Sequence, residues 1–383
     1  MRNSENPFKS FFMGGFECSS HRSNRGRRLD LIASTRHEEF AYEDYARLRK
    51  CGILTARDGL RWHLIERAPG KYDFSSVDRQ IAAARANGVQ IVWDVFHYGY
   101  PDNLDIFSSE FIRRFAAYSA ALTQFLRAET GEPLILCPIN EISFFAWIAG
   151  SEGIFFPYTK RRGRSLKRQL VRAAVASVEA IKDVAPSTQI IFTDPAIHVV
   201  PSGNSLAELR AAENYRRSQF QAFDMLLGRV EPELGGHENM IDILGLNYYF
   251  HNQWRHPSRR KIPLGHGRYR PLREILTEYY ARYGKPMFIA ETGIEDERRP
   301  DWFRYVCDEI YALQQTEIPL LGICLYPIVN HPGWADNRHC HNGLWDYADD
   351  KGEREIYEPL ANEIVRQNER FRKANFKDQA LAA

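Results

Sequence analysis

The stretch KPMFIAETG, Lys285 to Gly293, decides the fold. An apolar run, Met287 to Ala290, ends in a carboxylate, Glu291, with Gly-Lys-Pro before it and Thr-Gly after it. An apolar run with that punctuation reads as a fully buried strand. A carboxylate at its carboxyl end, where a βα-loop begins, is placed for chemistry in a barrel. One such Glu is as readily a helix cap. A second stretch, LILCPINEISFF from Leu134 to Phe145, repeats the layout and ends in Asn140-Glu141. Two strand-end carboxylates can face each other across one pocket.

Outward from these two runs, short strand-like segments alternate with longer helical ones. The expected strands are 11–19, 52–62, 89–99, the Glu141 run, 189–195, 240–249, the Glu291 run and 319–327. The expected helices are 38–50, 75–88, 111–128, 165–185, 206–227, 271–283, 301–315 and 355–373. Ser at the start and Gly at the end mark the second helix. Eight strands, each followed by a helix, define an α/β chain with a single (β/α)₈ TIM barrel over residues 1–383, the ends 1–10 and 375–383 being peripheral. Strand carboxyl ends then converge on one face, with Glu17, Arg57, His97, Asn140, Glu141, Asp194, Asn247, Tyr249, Glu291 and Trp334 among the groups that meet there.

Composition is that of a globular chain, 44% hydrophobic and 26% charged. The 51 basic and 49 acidic residues leave a net charge of +2, which argues against nucleic acid as a partner. No run is apolar and long enough to span a membrane, and the first residues lack the apolar region of a signal peptide. Six scattered cysteines without a CxxC pair are expected to be reduced thiols, and a cytoplasmic location is expected.

Several segments, in order, resemble the glycoside hydrolases of family 1, the β-glucosidase family. ARDGLRWHLIERAPGKYDFSSVD (56–78) resembles the family's second-strand segment, and FHYGYP (96–101) its His-Trp-Asp-Leu-Pro. PINEISFFAWIAG (138–150) resembles its Asn-Glu-Pro segment, IDILGLNYY (241–249) its sixth strand, and FIAETG (288–293) its nucleophile motif. LYPIVNHPGWADNRHCHNGLWDY (325–347) resembles its eighth strand and the loop beyond. The resemblance implies a retaining β-glycosidase without a cofactor or metal, with Glu141 as acid/base and Glu291 as nucleophile. It implies that His97, Asn140, Trp334, Glu17 and Asn247 line the sugar site, and that Arg57 and Tyr249 hold the nucleophile carboxylate. Three departures stand out: Glu17 where the family has Gln, Gly333 where it has a Glu that reads outer hydroxyls, and Ile142 where it has Pro.

Retaining chemistry asks the two carboxyls to lie about 5–5.5 Å apart. It asks Glu291 to stay ionised, with a pKa lowered by Arg57 and Tyr249, and Glu141 to begin protonated through burial and the Glu291 charge. Tyr249 rather than neighbouring Tyr248 is assigned to the site, although strand neighbours face opposite ways. Asp94, Asp194 and His198 read as structural. HPGWADNRHCH (331–341) carries three histidines, a Cys and an Asp, but matches no established metal-ligand spacing. Three basic segments, 21–30, 160–168 and 255–270, follow the first, fourth and sixth strands and are expected to form a positive rim around the pocket. The resemblance implies a carbohydrate substrate, and the basic rim adds the expectation of an anionic glycoside as one version of it. A transglycosylase sharing the glycosyl-enzyme, and a non-catalytic sugar- or partner-binding barrel, are the competing readings.

Overall fold

In the computed structural model, which describes residues 6–23, 26–131 and 133–381 and side chains as far as 373, eight strands close into a parallel barrel. They are β1 (Phe12–Gly15), β2 (Thr55–Gly59), β3 (Gln90–Asp94), β4 (Ile135–Cys137), β5 (Gln189–Pro195), β6 (Ile243–Asn247), β7 (Met287–Thr292) and β8 (Leu320–Leu325). Each pairs with its sequence neighbours, and β1 closes on β8. Sheets of this kind are covered on both faces, so their strands are continuously apolar rather than alternating. β7 is buried at all six positions, MFIAET.

The outer ring is built from α1 (His37–Lys50), α2 (Ser75–Asn87), α3 (Ser109–Thr130), α4 (Gly163–Val184), α5 (Leu206–Arg217), α6 (Leu272–Tyr283), α7 (Arg299–Gln314) and α8 (Glu358–Leu381). α4 shows why they dock: Leu166, Leu170, Ala174, Val178 and Ile181 recur at helical spacing and are buried. Gly88 ends α2 in the left-handed conformation at φ 64°, as a C-terminal glycine does. Its start is set by Asp73, whose carboxylate accepts from the Ser75 amide, and not by a serine cap.

Three expectations need correction. The long helix expected over 206–227 breaks at a 3₁₀ turn, Ser218–Phe220, followed by a short helix, Gln221–Leu226. There Gln219 turns inward, its side chain accepting from the Ile197 amide and donating to the Arg216 carbonyl. Beyond the barrel, His198–Pro201 and Gln253–His256 pair as an added two-stranded ribbon that no periodicity announced. Residues 6–10 are not peripheral: Phe8 is 6% exposed and packs on Phe288, 5.1 Å between ring centroids, closing the barrel floor. Residues 1–5, 382 and 383 of the ends expected to be peripheral lie outside the described residues. All six cysteines are free thiols, five of them buried. Among the described residues no helix is long and apolar enough to cross a membrane.

Phe8→Ala empties part of the barrel floor and is expected to cost about 3 kcal/mol of stability. Urea unfolding monitored by fluorescence reads this directly, and a midpoint equal to wild type would return Phe8 to the periphery.

Candidate active site

Arg57, in the middle of β2, is fully buried and points into the carboxyl-end layer of the barrel. Its five N–H donors are all taken. Nε and Nη2 bind the two oxygens of Asp94 at 3.2 and 2.7 Å, Nη1 binds the Ala290 carbonyl at 2.9 Å and Glu291 Oε1 at 3.0 Å, and Nη2 also reaches Asn140 Oδ1 at 2.9 Å. A planar guanidinium is the one side chain that can make this many directed contacts at once. Tyr326 lies 5.3 Å from the guanidinium, ring centroid to Cζ. It comes so close only because Gly15 has no Cβ, which would sit 2.1 Å from the tyrosine ring.

Glu291 stands near the end of β7, in register with Asn247 at the end of β6. Its second oxygen accepts from the Tyr249 hydroxyl at 2.9 Å. Tyr248 faces the other way and shares its hydroxyl with Tyr269 and Gln253. Glu141 follows β4 at the start of a short helix, Ile142–Phe145, with the rare left-handed φ of 49°. Asn247 donates to its Oε1 at 2.9 Å and the Tyr98 hydroxyl donates to its Oε2. Tyr98 is itself left-handed, at φ 68°. Non-glycine residues held this way cost about 1–3 kcal/mol each and collect where a side chain must be aimed. Asn247 thus touches both carboxylates' strands, paired in register with one Glu and bonded to the other.

Asn140 closes the circuit. Its Oδ1 accepts from Arg57 and from Thr193 Oγ1, and its Nδ2 donates to the Tyr98 hydroxyl at 3.0 Å and lies 3.2 Å from His97 Nε2. Because that nitrogen faces a donor, neutral His97 carries its proton on Nδ1, towards Asp94 at 3.0 Å. Glu17 is buried, accepts from the Ser19 amide at 3.0 Å, and lies 4.0 Å from His97 Nε2. Trp334 is half-buried against His21 and Phe155, and its indole N–H has no protein partner. A Cβ at Gly333 would lie 2.3 Å from Asp336 Oδ1, the end of an exposed side chain.

The two carboxyls have different surroundings. Burial raises Glu141 to about 8, with the Glu291 charge adding to it, against the donors Tyr98 and Asn247. Burial also raises Glu291, which corrects the expectation of a lowered value. Arg57, His97 and Tyr249 pull it back, and Glu17 adds to the rise. What separates the pair is the cation: Arg57 touches Glu291, and no Lys or Arg pairs with Glu141 among the described residues. The proton of the pair therefore belongs on Glu141.

The strand-end reading missed Tyr98, whose only signal was its place beside His97. It also read Asp94 as merely structural, although Asp94 orients both Arg57 and His97. Asp194 accepts from the Ser143 amide at 3.0 Å, supporting the Glu141 helix from outside the pocket. His198 lies on the added ribbon. Of the histidine-rich loop, His339, His341 and Asp346 come within reach of one another. His339 is already hydrogen-bonded to Asp346 at 2.5 Å, while His331 is engaged by Asn342.

Comparison with known proteins shows what this closed (β/α)₈ barrel, with two unlike carboxyls at its carboxyl-end face, is similar to. No protein-family model matches the chain. It is 22% identical, over 373 residues, to a β-glucosidase of Agrobacterium sp. (strain ATCC 21400), covering 83% of this chain and 81% of the relative. Among solved structures it is similar to the family 1 β-glucosidase of Thermotoga maritima, with a TM-score of 0.75, 17% identity and coverage of 94% of this chain and 98% of that one. It is also similar to the virulence factor SghA of Agrobacterium tumefaciens, with a TM-score of 0.72, 20% identity and 86% of each chain covered. The resemblance to family 1 carried by the motifs extends to the whole barrel.

Replacing Glu291 by Gln removes the like charge beside Glu141, so the pKa of Glu141 is expected to fall. Carbon-13 NMR titration of labelled glutamate carboxyls measures it; an unchanged or higher value would mean the two groups do not sense each other.

Proposed function

We propose that this chain is a β-glucosidase-type glycoside hydrolase that acts by double displacement, with Glu291 as nucleophile and Glu141 as acid/base. The observation that carries the reading is the unequal pair: two buried carboxyls at the ends of β4 and β7, linked through Asn247 and Asn140, one on a guanidinium and one without a cation. A retaining glycosidase needs this division of roles.

In the first step Glu291 attacks the anomeric carbon while Glu141 gives its proton to the departing glycosidic oxygen. Arg57 and Tyr249 hold the attacking carboxylate, so that its free lone pair is aimed and its charge is stabilised until the ester forms. Formation of the neutral ester removes the charge that helped keep Glu141 protonated. Glu141 then accepts a proton from water, which attacks the glycosyl-enzyme and restores both carboxyls. His97, Glu17, Asn247 and the Trp334 N–H supply the polar contacts for the sugar. Sugar contact at Asn140 would take the place of a bond to Tyr98 or His97, because its amide is fully used within the protein.

Glu291→Gly is expected to abolish hydrolysis, and azide to restore turnover as the glycosyl azide of inverted configuration. Wild-type activity in that variant excludes Glu291 as nucleophile. Glu141→Ala is expected to lose about 10²–10⁴-fold on substrates with poor leaving groups and far less on activated aryl glycosides; equal losses remove it from the acid role. Since the acid must be protonated, kcat/KM should fall as pH rises through about 8. A flat profile to pH 10 would speak against Glu141 as the titrating group.

A further inference from the structure

The positive rim expected from the three basic segments is neutralised only in part by pairing. Arg22 and Arg28 both bind Asp102, Arg164 and Arg168 bind Glu231, Arg259 binds Glu152 and Arg270 binds Glu278. Among the described residues Arg27, Arg161, Arg255 and Arg268 also form no ion pair, but Lys261 and Arg298, in the loops after β6 and β7, are gathered on one aromatic ring. Lys261 Nζ lies 4.6 Å and Arg298 Cζ 5.4 Å from the centre of the Phe250 ring. Among the described residues no carboxylate pairs with either cation. Asp296 and Glu297 precede Arg298 in its 3₁₀ turn but form no ion pair with it.

This pair sits next to the reacting groups. Phe250 follows Tyr249, whose hydroxyl binds Glu291. The exposed His251 ring stacks on Tyr249, 5.5 Å between centroids and 7° from parallel. The path from Glu291 to these cations therefore runs through Tyr249 and its chain neighbour Phe250 to Lys261 and Arg298.

Inside the sugar pocket the balance is opposite. Glu17, Asp94, Glu141 and Glu291 are buried there, and Arg57, the cation among them, has every donor occupied. A phosphate or carboxylate on the sugar itself would be desolvated beside carboxylates with no free cation to meet it. An anion on the leaving group would instead meet Lys261 and Arg298, neither of which forms an ion pair.

Resting on the glycosidase reading, we propose that the substrate carries its negative charge on the aglycone, and that Lys261 and Arg298, gathered at Phe250, bind that anionic group outside a sugar pocket that rejects charged sugars. Charge-assisted hydrogen bonds of ammonium and guanidinium to carboxylate or phosphate oxygens would supply the selectivity.

The test uses 4-carboxyphenyl and 4-carbamoylphenyl β-glycosides, which differ in charge and little in shape, on wild type, Lys261→Met and Lys261→Met/Arg298→Gln. Wild type is expected to show a KM about tenfold lower for the carboxylate, with that ratio shrinking in the single variant, approaching one in the double variant, and falling with added salt. Binding of free 4-hydroxybenzoate against 4-hydroxybenzamide, measured by calorimetry on the same proteins, gives the same ratio without any turnover. Equal affinities in wild type, or a preference that survives in the double variant, overturn the anion site even if both glycosides are hydrolysed. Selective benzoate binding without hydrolysis of any glycoside leaves the anion site standing and removes the glycosidase reading instead.

Discussion

The Arg57 guanidinium is the interaction on which the rest of the site depends. It starts on β2 and ties together Asp94 at the end of β3, Asn140 beyond β4, and both the carbonyl of Ala290 and the carboxylate of Glu291 on β7. A buried cation of this kind is tolerated only when every donor is matched, and here each one is. The order then spreads outward. Asn140, fixed by Arg57 and Thr193, presents its amide to Tyr98, and Tyr98 aims Glu141. Lysine at position 57 would retain the charge and lose the branching that links four strands.

Much of the fold is legible in the sequence because parallel barrel strands are covered on both faces and read as unbroken apolar runs. The QIIFTDP run, 189–195, is a strand over the same bounds, and the two Glu-bearing runs stand out by the abrupt change from apolar to acidic. Less legible is whatever depends on a single backbone conformation or on contacts distant in sequence. Tyr98 reaches Glu141 because its backbone is left-handed, which no periodicity reports. Gln219 breaks a helix whose composition reads as continuous, because its side chain finds the Ile197 amide 22 positions back. Phe8 lies in a polar N-terminal stretch, and only the barrel floor shows what it covers.

The charge pattern shows the same division. A net charge of +2 says little, and three basic segments suggest a uniform rim. Partners supplied from elsewhere in the chain, such as Asp102 for Arg22 and Glu231 for Arg164, cancel part of it. Set against it is a separation of sign: buried carboxylates in the carboxyl-end layer of the barrel, and two cations without an ion pair, Lys261 and Arg298, gathered on Phe250. Such a gradient disfavours an anion at the inner position and favours one at the outer position.

The central claim is that Glu291 forms the bond to the sugar. Incubation with a set of activated 2-deoxy-2-fluoro β-glycosides, followed by intact-mass and peptide mapping, measures this most directly. The account expects one fluoro-sugar per chain, carried by the peptide containing Glu291 and absent from a Glu291→Gln variant. A label on another residue, or steady hydrolysis of the fluoro-sugar with inversion at the anomeric carbon, would contradict it.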